Sequence, residues 1–122
     1  MQTKYSRQEH LARADHNRAL VGDLNHLPGR YEDWQVTSLF YAAVHLVQAY
    51  FSAKTNHYPG SHEAREELVR QDSKLRTIYR DYRELKHLSI SSRYTCTAIT
   101  ARDVSAADAR LRAIQAHIQQ LL

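Results

Sequence analysis

A histidine stands in the middle of the most apolar stretch of the chain, Ser38-Leu-Phe-Tyr-Ala-Ala-Val-His-Leu-Val-Gln-Ala-Tyr-Phe51. No Asp, Glu, Lys or Arg occurs between Trp34 and Ala53. An imidazole titrating near neutral pH can serve as acid or base, and an arginine can hold a phosphate. The side chains suited to such work are His45, His62, Arg65, Arg93 and Tyr94, and of these His45, His62 and Arg93 are the candidates for catalysis. A second group lies between Arg70 and Arg93. There seven basic residues (Arg70, Lys74, Arg76, Arg80, Arg83, Lys86 and Arg93) face three acidic ones, Asp72, Asp81 and Glu84, which accounts for the whole net charge of +4. Tyr79, Tyr82 and Tyr94 are interleaved with them. Basic side chains can follow a phosphate backbone while aromatic rings stack on bases; the plainer reading is a solvated helix face.

Other chemistries lack their residues. No histidine pair has the metalloprotease spacing, and His57 and His62, on either side of Pro59-Gly60, fit no zinc pattern. Neither a metal nor a cofactor is expected. Three glycines spread over 122 residues form no phosphate loop. The single cysteine, Cys96, has no nucleophile context and reads as a half-buried structural thiol. It allows no internal disulfide and suits a reducing cytoplasm. The first ten residues have no apolar core of the secretory kind. The uncharged run has the length of a membrane span, but it contains Gln35, His45 and Gln48, so a soluble domain is expected.

The elements that must position these residues read as helices throughout. With only three Gly and two Pro, an all-β fold would lack its turns. Ser6 caps a first helix running to about Leu27, with a thin stripe of Leu11, Ala14, Val21 and Leu24. Asp33 caps a second, to about Lys54, before the Asn56–Gly60 turn. Ser61 caps a short third helix that has Glu63, Glu66 and Glu67 in its first turns. A fourth begins near Asp72 or Ser73. Residues 95–104 read as a connection, and Ser105 with Asp108 as the capping box of a last helix carrying Ala107, Leu111, Ile114, Ile118 and Leu121. The fold expected is all-α, an up-and-down bundle of four long helices and one short one, in a single domain over residues 1–122.

Turned end-on at about 100° per residue, the second helix divides in two. Val36, Leu39, Phe40, Ala43, Val44, Val47, Tyr50 and Phe51 fill one side; Ser38, Tyr41, His45, Gln48 and Ser52 fill the other. A polar stripe without charge needs cover, which predicts that Tyr41, His45 and Gln48 lie within the bundle or at a two-fold interface between copies. Tyr41, one turn before His45, is its expected hydrogen-bond partner.

The segments Phe40-Tyr-Ala-Ala-Val-His45, Pro59-Gly-Ser-His62, Tyr82-Arg-Glu-Leu85, Leu88-Ser-Ile-Ser-Ser-Arg-Tyr94 and Asp103-Val, in this order, resemble a HEPN (higher eukaryotes and prokaryotes nucleotide-binding) domain over roughly residues 33–118. The resemblance implies a helical bundle, usually dimeric, of the kind found in toxin–antitoxin and other defence systems. Many members are metal-independent ribonucleases; others bind RNA or nucleotides without cutting. It also implies that Arg93, Tyr94 and His62 face one cleft. Cutting members carry an Arg followed four to six residues later by His near the start of the last long helix. Here Arg93 is followed at those distances by Ala98, Ile99 and Thr100. A literal match at Arg112 and His117 sits near the C-terminal end, with side chains about 140° apart on a helix.

Three functions are therefore in view. One is a non-cutting module that binds RNA or nucleotide through His62, Arg65, Arg76, Arg80, Arg83, Arg93 and Tyr94. Another is a ribonuclease toxin with a variant site, accompanied by a nucleotidyltransferase or other antitoxin partner. The third is a dimerising adaptor without a nucleic-acid role. All three are cytoplasmic, with no membrane partner.

Overall fold

The structure, a computed structural model, describes residues 4–122. Helix α1 spans Arg7–Leu24 and opens with a capping box. The Ser6 hydroxyl accepts from the Glu9 N–H at 3.1 Å, and the Glu9 carboxylate accepts from the Ser6 N–H at 3.0 Å. α1 stops before the expected Leu27 because the amides of His26 and Leu27 bond back only three residues, to Asp23 and Leu24. Gly29, at φ 79°, then takes a left-handed turn that disfavours a side chain.

Helix α2 (Glu32–Tyr50) starts two residues earlier than its expected cap allows. Tyr31 is the boundary and Asp33 lies inside the first turn, because Glu32 folds back to accept the Gly29 N–H at 3.2 Å. Fourteen of its nineteen residues are buried. The chain then continues as a wider π-turn over Phe51–Thr55, ended by Asn56 in the left-handed region at φ 60°. Ser61 caps α3 (His62–Gln71), as expected, accepting from the Ala64 N–H at 3.1 Å.

The fourth helix departs from expectation. The Asp72 carboxylate accepts the amides of Lys74 and Leu75 at 2.7 and 3.2 Å, which fixes a turn where the helix was to begin. A 3₁₀ turn at Arg76–Ile78 follows, then α4 (Tyr79–Tyr94). The last helix, α5 (Ala101–Leu121), begins earlier than expected. Its capping box is Thr100 with Asp103, not Ser105 with Asp108; Asp108 instead holds Arg112 at 2.7 Å. Cys96, in the connection, is exposed rather than half-buried.

These helices form an all-α bundle centred on α2, against which α1, α4 and α5 all pack. α1 and α4 run antiparallel to α2, and α5 runs antiparallel to α4 and so parallel to α2. His10 near the start of α1 meets His45 late in α2, while the α1 end meets Gln35, which donates to the Val21 carbonyl and the Asn25 side chain. Thr37 meets Ser92 of α4, and Asp81 of α4 meets Arg110 of α5 at 3.1 Å. Leu39, Phe40, Phe51, Tyr82, Leu85, Leu111 and Ile114 are almost wholly buried between them. Among the described residues, no helix is long and apolar enough to cross a membrane.

Candidate anion-binding site

Within a single chain the polar stripe of α2 is covered in part: Ser38 and Gln48 are buried, Tyr41 and His45 half-buried. Gln48 is buried and donates to the His57 carbonyl at 2.8 Å. His45 meets His10 of α1, Nδ1 to Nδ1, at 3.0 Å. The partner expected for His45, Tyr41, is engaged elsewhere: its hydroxyl accepts from Arg93 Nη1 at 2.8 Å. Residues ten and forty-five meet because α1 and α2 form an antiparallel pair, a distance of 35 in sequence that spacing within one helix does not reveal. His10 nonetheless had a signal, lying on the stripe of Ala14 and Val21 that α1 buries.

Around Tyr41 the structure gathers three of the sequence candidates. The His62 ring packs on Tyr41 with centroids 5.9 Å apart and on Phe40 at 5.3 Å. The Arg93 guanidinium lies over the Tyr41 ring at 5.5 Å and over the Tyr94 ring at 5.0 Å. Arg65, one turn after His62 on α3, places Nη1 3.2 Å from His62 Nδ1. His62 and Arg93 thus share Tyr41 as a wall, from two elements, and Tyr94 stands beside them, 74% exposed.

Proton bookkeeping gives this group its character. A guanidinium only donates, so His62 Nδ1 accepts from Arg65 and the neutral ring carries its proton on Nε2. Tyr41 accepts from Arg93, leaving its own O–H to donate. Neither Arg65 nor Arg93 has a carboxylate within ion-pair distance among the described residues. Lys86, nearly buried, is partnered by Glu66 at 3.6 Å and by the exposed Glu63 at 4.0 Å. Partial burial, then Arg65 and Arg93, lower the pKa of His62, so it is neutral at pH 7. The groups turned toward Tyr41 are almost all donors, an arrangement suited to the oxygens of an anion.

Arg76, Arg80 and Arg83 do not join this cluster. All three are exposed, and Arg83 lies about 15 Å from Arg93 along α4 at 1.5 Å per residue. They make a separate exposed basic track on the turn before α4 and its first half, where Arg80 and Arg83 point about 140° and about 80° away from Arg93. The Arg112 and His117 pair is separated by its contacts: Arg112 goes to Asp108, and His117 meets the Lys74 carbonyl and Thr77. No group of three or more metal-ligating side chains occurs among the described residues.

A cleft of about 360 Å³ beside the histidine pair is lined by Tyr5, Glu9, His10, Arg13 and His45. Burial, then the nearby His10, Arg13 and Arg65, push the pKa of His45 down to about 4. Folding therefore favours neutral His45. That contribution is complete above the unfolded value of about 6.5 and is lost as pH falls from there toward 4. Allowing for solvent at this half-covered ring, the loss should be about 1–2 kcal/mol. Urea unfolding at pH 7.5 and 4.5 checks it: wild type should lose that much more stability than His45→Gln, and equal losses would assign the acid sensitivity to other groups.

In comparisons with known proteins, the chain matches no family model, no curated protein and no solved structure at a significant level.

Proposed function

We propose that this domain binds single-stranded RNA or a nucleotide through its phosphates and does not cut it. The observation that carries this reading is the convergence of two guanidiniums without carboxylate partners, Arg65 and Arg93, on a neutral His62 whose lone pair is already occupied. A general base needs a free lone pair, and His62 offers an N–H instead. The position is therefore built to hold phosphate rather than to take a proton from a ribose hydroxyl. The resemblance to HEPN domains supplies the setting: a homodimer in a prokaryotic defence or toxin–antitoxin system in the cytoplasm, with a nucleotidyltransferase or other antitoxin as a further partner. Gln48 of the α2 stripe is buried within one chain, so of the three stripe residues the half-buried Tyr41 and His45 are left to meet a second copy.

The test is the salt dependence of binding to a short single-stranded RNA. With about four phosphates neutralised by Arg93 and the track of Arg76, Arg80 and Arg83, log affinity should fall against log salt with a slope near −3, at roughly −0.7 per phosphate. No binding at about 50 mM salt would remove this reading and leave the dimerising adaptor in its place.

A further inference from the structure

The two most exposed large apolar side chains, Tyr94 at 74% and Trp34 at 54%, line the same cleft. Its volume is about 340 Å³, and its other walls are Asp33, Thr37, Ser92 and Arg93. Neither ring is stacked on another aromatic ring among the described residues; Arg93 lies over one face of Tyr94, which leaves its other face and the Trp34 ring for a base between the start of α2 and the end of α4. Exposed aromatics beside an arginine are what a base with its phosphate requires.

The polar wall of this cleft is selective. Ser92 donates its hydroxyl proton to the Ser89 carbonyl at 2.9 Å. Its 2.7 Å contact with Thr37 must then be a bond donated by Thr37. Both hydroxyl protons are spent, and what the two oxygens can still offer is lone pairs. Asp33 adds a half-buried carboxylate that makes no hydrogen bond and no ion pair among the described residues. This wall of Thr37, Ser92 and Asp33 accepts and does not donate, and Arg93 is the donor beside it. Among the common RNA bases, guanine alone sets two donors side by side on its Watson–Crick edge, N1–H and the N2 amino group, which fit one carboxylate as a pair. Adenine and cytosine present a ring-nitrogen acceptor there, which this wall repels.

We infer that the Trp34–Tyr94 cleft is a guanine-reading pocket, with the base held against the two rings, its edge on Asp33, and its phosphate on Arg93. This rests on the phosphate-binding function proposed above and adds to it the base that is preferred.

Trp34 is the only tryptophan in the chain, so its fluorescence reports on the pocket directly. The experiment titrates the protein with three octamers: all uridine, one central guanosine, and one central adenosine, following Trp34 emission and the anisotropy of labelled RNA. The guanosine octamer should quench Trp34 and bind about tenfold tighter than the other two, the gain typical of one paired hydrogen-bond contact to a base. Asp33→Asn should collapse that ratio toward one, and a thermal melt establishes that the variant is folded. Trp34→Ala should cost the guanosine octamer about tenfold. If the three octamers bind alike with the expected salt slope, or if the preference survives in Asp33→Asn, the pocket inference fails while phosphate binding stands. If none binds at about 50 mM salt, both fail together.

Discussion

Replacing Arg93 with alanine should weaken binding of single-stranded RNA by about 10- to 150-fold, the equivalent of about 1.5–3 kcal/mol for a charge-assisted hydrogen bond. Arg93 is held ready for this role: its Nε donates to the Ser89 carbonyl at 3.3 Å, Nη1 donates to Tyr41, and the Tyr41 and Tyr94 ring centres lie 5.5 and 5.0 Å from the guanidinium. Nη2 has no partner among the described residues, and pre-orientation means little entropy is lost when a phosphate arrives. The salt slope should become shallower by about 0.7, one phosphate contact on a single strand. Arg93→Lys separates charge from shape. It should keep the slope yet recover only part of the affinity, because an ammonium has neither the planar fork nor the stacking surface. Arg7→Ala, on the charge-balanced first helix, is the control. A loss there as large as at Arg93 would mean diffuse attraction rather than a site.

Phe40→Ala should cost about 3–5 kcal/mol, lowering the melting temperature by about 10–20 °C for a domain of this size. Phe40 has no exposure and lies 5.7 Å from Tyr82, 5.5 Å from Tyr41 and 5.3 Å from His62, ring centroid to ring centroid. It therefore joins the core to the back of the anion site. Its removal leaves a cavity that α2, packed on all sides, closes only in part, and His62 loses one of its two aromatic walls. Phe40→Leu, which keeps most of the volume, should cost no more than about half as much. Thermal and urea unfolding measure both. A loss below about 1 kcal/mol for the alanine variant would show that the core refills the gap and that His62 does not depend on it.

The fold was legible because its signals are local. Ser6 and Ser61 cap their helices as their types suggest, and of the apolar positions of the last helix Ala107, Leu111, Ile114 and Ile118 are buried and Leu121 is partly so. The boundaries that shifted are those at which two residues of similar type compete. Thr100 with Asp103 and Ser105 with Asp108 are both possible capping boxes, and only the packing of α5 chooses the earlier one. At Asp72 the carboxylate serves a turn instead of a helix start, a choice reinforced by the Tyr50 hydroxyl that donates to it at 3.1 Å. The candidate site was legible in part. His62, Arg65 and Arg93 were recognisable by type, but their meeting point, Tyr41, was assigned to His45. Periodicity states which residues share a helix face and is silent on what arrives from another helix. His10 showed its place only by falling on the buried stripe of α1, Asp33 read only as a helix cap, and Trp34 looked only like the edge of an apolar run.

The attachment of α1 determines how the bundle opens. It packs chiefly on α2, buries only His10, Ala14 and Val21, and reaches α5 by way of the Arg18–Gln115 hydrogen bond. The other long helices are tied on two sides, since α4 and α5 contact each other as well as α2. Native proteins come apart in cooperative units, and the weakest is the one with the least buried apolar surface. Among the long helices that unit is α1, whose amides should exchange with solvent through excursions smaller than global unfolding. Each excursion uncovers His45 and lets it take up a proton. The titration of that histidine and the breathing of the first helix should therefore be coupled, since His45 rests on His10 of α1.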